Sequence, residues 1–144
     1  MEGEMELVKD DGCFVCGPAN PRGLKIKVRR WQRGATFDFV AEETFKGWSQ
    51  YLHGGVISML FDELLGWTSR FLGYTALTAR LEVRYRRPVP LGTKLTFRGE
   101  LEREVKKILY IRTAALFDDG TVAAEGRGTM MIVRKGQGAH PPTP

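Results

Sequence analysis

The sequence predicts an α+β domain in which a curved antiparallel sheet wraps around one long central helix. Three observations carry this expectation. Most of the chain alternates apolar and polar residues with period two, as half-buried strands do. One segment, residues 54–72, breaks that rhythm with Val56, Ile57, Met59, Leu60, Phe61, Leu64, Leu65, Trp67, Phe71 and Leu72, too long an apolar stretch for a strand. An Asp-Gly pair at Asp119-Gly120 then supplies the positive φ that a tight hairpin turn needs, which sets the strands antiparallel.

Taken in order, Leu24, Ile26 and Val28 alternate with Lys25, Lys27 and Arg29 and predict a first strand. Phe37 and Phe39 alternate with Thr36 and Asp38 after a turn at Gly34. The helix follows; over residues 54–72 it is about 28 Å long, and its nearly all-round apolarity predicts burial on most sides. Ala79, Leu81, Val83 and Tyr85 then alternate with Arg80, Glu82, Arg84 and Arg86, until Pro88 and Pro90 end the strand. Leu95, Phe97 and Leu101 form a fourth strand, and residues 109–117 and 121–133 form the hairpin around Asp119-Gly120. A helix packed on one sheet in this way is a two-layer arrangement.

The chain has 144 residues, 42% hydrophobic and 27% charged, enough for one domain with its own core. That domain is expected over residues 1–133, with 134–144 a flexible tail that contains His140. No uninterrupted apolar run reaches the length of a membrane span, and residues 1–10 lack the basic-then-apolar layout of a secretion signal. The expectation is a cytoplasmic protein. Twenty-two Lys and Arg against 17 Asp and Glu give a net charge of +5, which favours anionic partners without choosing among them. A nucleic-acid binder is disfavoured, because the basic residues are interleaved with acids (Arg80, Glu82, Arg84; Glu100, Glu102, Arg103, Glu104) and no aromatic-plus-basic recognition motif is present.

Within the helix, Gly55, Ser58, Asp62, Gly66 and Ser69 recur at steps of three and four and share one stripe. Asp62 is expected to be partly desolvated there, which would raise its pKa toward that of a general base working near neutrality. The stripe by itself equally describes a carboxylate that bonds a neighbouring loop, with small residues that permit close packing. Glu63 points about 100° away around the helix and is a rival base or a partner for an arginine. Ahead of the helix stands His53-Gly54-Gly55. Two glycines let a ligand approach the backbone, and the free N–H groups of a first helical turn can receive an oxyanion. Alternatively, the glycines make a sharp loop-to-helix turn and His53 caps it. From Gly54 to Asp62 is about 12 Å along the helix axis. If both act on one carbonyl, they must come from two chains, and the pattern predicts a homo-oligomer with composite sites.

His53-Gly54-Gly55, Asp62, then Thr78 at the start of a strand that reads on to Tyr85-Arg86-Arg87-Pro88, resemble the hotdog-fold acyl-CoA thioesterases. The resemblance is to the group similar to the phenylacetate-pathway thioesterase, and it extends from about Cys13 to Val133. It implies hydrolysis of an acyl-CoA to free acid and coenzyme A, without metal or organic cofactor. It implies Asp62 as nucleophile or general base and Gly54, with Gly55, polarising the carbonyl from the partner subunit. His53 would orient the site and Thr78 would help hold the attacking water; the residue pattern itself places Thr78 only on the non-core parity of its strand. Relatives carry an Asn or Gln before the His-Gly-Gly, and Gln50 is the nearest match, while Trp48 and Tyr51 of the same loop, with Phe61, Trp67 and Phe71, are acyl-pocket or core residues. Arg86, Arg87, Arg127 and Lys106-Lys107 are candidates for the coenzyme phosphates, or simply wet basic positions. The competing class is a non-catalytic acyl-CoA binding or sensing domain of the same fold.

Cys13-Phe14-Val15-Cys16-Gly17 invites a metal-knuckle reading, but a structural zinc site takes four ligands and no second Cys-x-x-Cys exists. Ahead of Asn20-Pro21-Arg22-Gly23-Leu24 the pair is expected to form a packed N-terminal turn, with a redox or metal role as the alternative.

Overall fold

The computed structural model describes residues 11–135. In chain order these form β1 (Arg29–Trp31), β2 (Gly34–Val40), a 3-10 turn (Glu43–Phe45), α1 (Gly54–Phe71), β3 (Tyr74–Tyr85), β4 (Lys94–Val105), β5 (Ile108–Leu116) and β6 (Val122–Lys135). The six strands make one antiparallel sheet in the order β1-β2-β4-β5-β6-β3. With α1 packed against it, this is the hotdog fold. The helix therefore lies in the chain between two strands and four, as the sequence pattern predicts.

Alternation builds the core. Leu95 and Phe97 of β4, Leu109 and Ile111 of β5, and Met130 and Ile132 of β6 are buried, while Arg98, Arg112 and Arg127 on the same strands are exposed. From the helix, Ile57, Leu60, Phe61, Leu64 and Leu65 close the layer. Phe37 stacks on its register partner Phe97 at 5.1 Å, and Phe61 meets Phe97 edge-on at 5.8 Å, arrangements that add to simple burial. The close seating of α1 needs glycine beneath it. A side chain at Gly128 would run into Leu65, and one at Gly99 would stand 3.1 Å from Leu64 Cβ.

Two expectations are corrected, and a third holds except along one stripe. Among the described residues, 24–28 pair with no other strand; the ladder begins at Arg29. Burial still alternates there, with Leu24, Ile26 and Val28 packed on the core, but Lys25 has φ 54, which breaks an extended run. The N–H groups of Leu24 and Ile26 go instead to the carbonyls of Phe14 and Val15. The helix is covered on most sides, as expected, but not on all: Gly55, Asp62 and Gly66 form an open stripe along it. And β6 runs on through Arg134 and Lys135, two residues past the expected start of the tail; residues 136–144, with His140, lie outside those described. The hairpin around Asp119-Gly120 forms as expected, with Gly120 at φ 88. No helix among the described residues is long and apolar enough to cross a membrane.

Candidate active site

Asp62 sits mid-helix on the open stripe, where α1 runs beside the sheet's edge strand β3. Thr78 Oγ1 donates to Asp62 Oδ1 at 2.7 Å, with Met130 Sδ 3.3 Å from the same hydroxyl. Strict alternation would put Thr78 with Arg80, Glu82 and Arg84, facing away from the helix. A register shift lies between Thr78 and Arg80: Thr78 pairs with Met130, Arg80 with Thr129, and Ala79 is the extra residue. Such a bulge re-aims side chains on one side of it. It turns Thr78 toward Asp62 and leaves Leu81 and Val83 facing the core. The desolvation expected of Asp62 is absent within the protomer, where the residue is exposed.

Burial falls on the neighbouring carboxylate instead. Glu63 is half-buried, and desolvation holds its carboxyl above the ordinary range, partly offset by the Cys16 thiol and the Trp67 indole beside it. Trp67 Nε1 donates to Glu63 Oε2 at 2.9 Å. The Cys16 thiol is in turn pushed up, first by burial and then by Glu63. The expected arginine partner for Glu63 is therefore replaced by a tryptophan and a cysteine. Glu63 faces the N-terminal turn, and Asp62 faces the open stripe.

At the start of α1, His53 is the N-cap and its Nδ1 accepts the N–H of Gly55 at 2.8 Å. An accepting Nδ1 places the proton of the neutral ring on Nε2. Gly55 is thereby already satisfied, so of the two expected donors only Gly54 keeps an N–H without a partner among the described residues. Tyr85 ties this turn to the end of β3. Its hydroxyl donates to the Gly54 carbonyl at 2.8 Å and lies 2.7 Å from Ser58 Oγ. The strand pattern marks Tyr85 only as a core-parity residue; it is in fact a half-exposed strut holding the helix N-terminus. Its visible signal is the Tyr-x-x-Pro strand end. Of the stripe, Ser69 alone is buried, donating to the Leu65 carbonyl.

The remaining candidates are dispersed. Gln50 is exposed in a tight loop closed by pairing of Lys46 with Leu52 and of Tyr51 with Pro90. Trp48, at 92% exposure, forms its tip, and Tyr51 is also exposed, whereas Phe61 and Phe71 are core. Arg86 is ion-paired with Glu125, and Arg87 donates to the Val122 carbonyl at 3.3 Å, both beside a shallow concavity at the end of β3. Arg127 lies between Gly126 and Gly128, whose absent side chains would point at the helix. Its own side chain therefore projects from the far face, toward Glu102 at 3.5 Å. Lys106-Lys107 forms the two-residue turn between β4 and β5.

The fold, with a glycine-rich helix N-terminus and a carboxylate about two turns on, is that of a hotdog domain. A model of the thioesterase superfamily matches residues 49–124, and the chain belongs to that family. Its structure resembles that of smu.793 from Streptococcus mutans, solved bound to acetyl-CoA, with 18% identity, TM-score 0.73, and 78% of this chain and 91% of that one covered. The PaaI protein of the Escherichia coli phenylacetic acid degradation operon is 18% identical, with TM-score 0.72 over 78% of this chain and 83% of that one. A thioesterase superfamily protein is 26% identical, with TM-score 0.77 over 81% of this chain and 61% of that one.

Proposed function

We infer that the protein is a cytoplasmic acyl-CoA thioesterase whose active site is completed by a second copy of the chain. Asp62 is the nucleophile or general base, and the N–H of Gly54 of the partner subunit polarises the thioester carbonyl. Water adds to the acyl carbon, the C–S bond breaks, and the coenzyme leaves as its thiol beside the free acid. The observation that carries this reading is the placement of Asp62. It is exposed, held by Thr78, and about 12 Å along the axis from the Gly54 N–H at the helix N-terminus.

The edge of the sheet supports the second copy. β3 is twelve residues long and terminates the strand order, so it presents a row of backbone groups to a further strand. A partner added along β3 covers the Gly55–Asp62–Gly66 stripe and supplies the desolvation the protomer lacks. It also brings the helix N-terminus of one subunit across from Asp62 of the other. Gln50, in the loop before His53, flanks the carbonyl side of such a site. Arg86 and Arg87, at the end of β3, and Arg127 are the candidates for the coenzyme phosphates. The family and the CoA-bound relative are consistent with this substrate class.

The test is release of free thiol from short, medium, long and aromatic acyl-CoAs by the native protein and by Asp62→Ala. Turnover lost in the variant with acyl-CoA binding retained supports the proposal. Binding without turnover in either protein would identify a sensor domain instead.

A further inference from the structure

The sequence alone offers Cys13 and Cys16 no companions. The fold gives them one. Cys13, Cys16 and Glu63 each direct a ligand atom to one spot, and the three atoms lie within 4.8 Å of one another. Ligands of one tetrahedral zinc, at its usual 2.0–2.3 Å bond lengths, stand about 3.5–3.8 Å apart, so closure onto an ion takes about 1 Å of movement or less. We propose that Cys13, Cys16 and Glu63 form a zinc site that clasps the N-terminal arm onto the helix carrying Asp62. This inference does not depend on the hydrolase reading.

Four features support it. The donor set, two sulfurs and a carboxylate oxygen, suits a borderline-soft divalent cation rather than magnesium or calcium. Both cysteines are free and half-buried, so a thiolate there has lost part of its water and gains from a cation. The Cys13–Gly17 turn is built around sulfur: the Cys16 N–H points at Cys13 Sγ at 3.5 Å, and the Gly17 N–H bonds the Cys13 carbonyl at 2.9 Å. A side chain at Gly17 would strike the Asp11 carbonyl and the Cys13 backbone. Finally, Trp67 Nε1 holds Glu63 Oε2, the kind of outer contact that orients a ligating carboxylate. Among the described residues, no Lys, Arg or His is paired with Glu63.

The site has a mechanical purpose. Among the described residues, the arm ahead of β1 joins no strand ladder; it is held by turns, by Val15 in the core, and by Leu24, Ile26 and Val28 packed on it. An ion shared between the arm and Glu63 fixes it to α1 one residue from Asp62. Three protein ligands leave the fourth tetrahedral position to water.

The experiment is metal analysis of the full-length reduced protein after desalting, followed by titration of the stripped protein with Zn²⁺ and with Co²⁺. The expected result is about one zinc per chain, with thiolate-to-cobalt charge-transfer absorption in the cobalt form. Cys16→Ser and Glu63→Gln should each weaken zinc binding by at least about 100-fold, beyond the ten- to hundredfold that loss of an outer contact costs. Glu63→Gln keeps an acceptor for Trp67 and so tests the site in a folded protein. Asp62→Ala should bind zinc as the native chain does, which separates this result from the fate of the thioesterase reading. The proposal is overturned if no zinc is retained, if the variants bind it equally well, or if the reduced protein ignores zinc while Cys13 and Cys16 readily form a disulfide.

Discussion

Thr78 Oγ1 stands 2.7 Å from Asp62 Oδ1, although strand parity alone would send Thr78 to the other face of the sheet. The bulge at Ala79 is what brings them together. A hydrogen bond to a charged group is worth about 1.5–3 kcal/mol. Thr78→Val should therefore lower kcat by about ten- to a hundredfold, with acyl-CoA binding nearly unchanged, and Thr78→Ser should restore most of it. Steady-state thiol-release kinetics decide the point; an undiminished kcat in Thr78→Val would leave Thr78 a mere neighbour.

His53 is an N-cap through its ring nitrogen. Losing a capping acceptor costs about 0.5–2 kcal/mol, so His53→Ala should lower the denaturation midpoint, and His53→Asn should recover it. If the ring also orients the site, activity will stay low in His53→Asn after stability has returned. Denaturant titration and thiol release on the same samples separate the two roles.

Gly66 lies on the open stripe, and a Cβ added to it would meet nothing within 4 Å. In an isolated protomer Gly66→Ala should be stabilising, by up to about 1 kcal/mol, and Gly66→Arg harmless. With a partner subunit on that stripe, Gly66→Arg should reduce both the particle mass in light scattering and the rate of hydrolysis. An unchanged mass and rate would show that the stripe faces solvent.

The β5–β6 turn carries an acid-sensitive contact. Asp119 accepts from the Thr121 N–H and hydroxyl, and these bonds hold its carboxyl below its ordinary value of 3.8. A depressed folded pKa stabilises the fold above the unfolded value, and that contribution is lost as pH falls through the folded one. The group is fully exposed, so the effect is small. Asp119→Asn, which keeps the acceptor but cannot ionise, should flatten stability below about pH 4 in acid denaturation.

Sequence pattern reached the fold because its two periods are nearly undisturbed: the apolar run of α1 and the alternation of β2, β4, β5 and β6 both match the packed structure. It misplaced the first strand because no propensity signals a left-handed Lys25. At the site, His53, Gly54 and Asp62 were legible from composition and spacing. Which carboxylate is buried was not, since Asp62 and Glu63 differ only in the face they take, and the partner of each comes from a distant segment. Thr78 was legible only through family resemblance, as a bulge has no local signature here. Tyr85, aligned with the core residues of β3, was marked only by the Tyr-x-x-Pro strand end, which does not say that it braces the helix N-terminus.

The central claim is that Asp62 of one subunit works with Gly54 of the other. Gly54→Pro removes the N–H donor at a first-turn position where proline is well tolerated, and Asp62→Ala removes the carboxylate. Each variant alone should release almost no thiol from acyl-CoA. Co-expressed, they should regain roughly a quarter of native activity, since half of randomly paired dimers would hold one intact site of two. A mixture as inactive as its components, with mixed dimers confirmed by mass, would contradict a site shared between subunits.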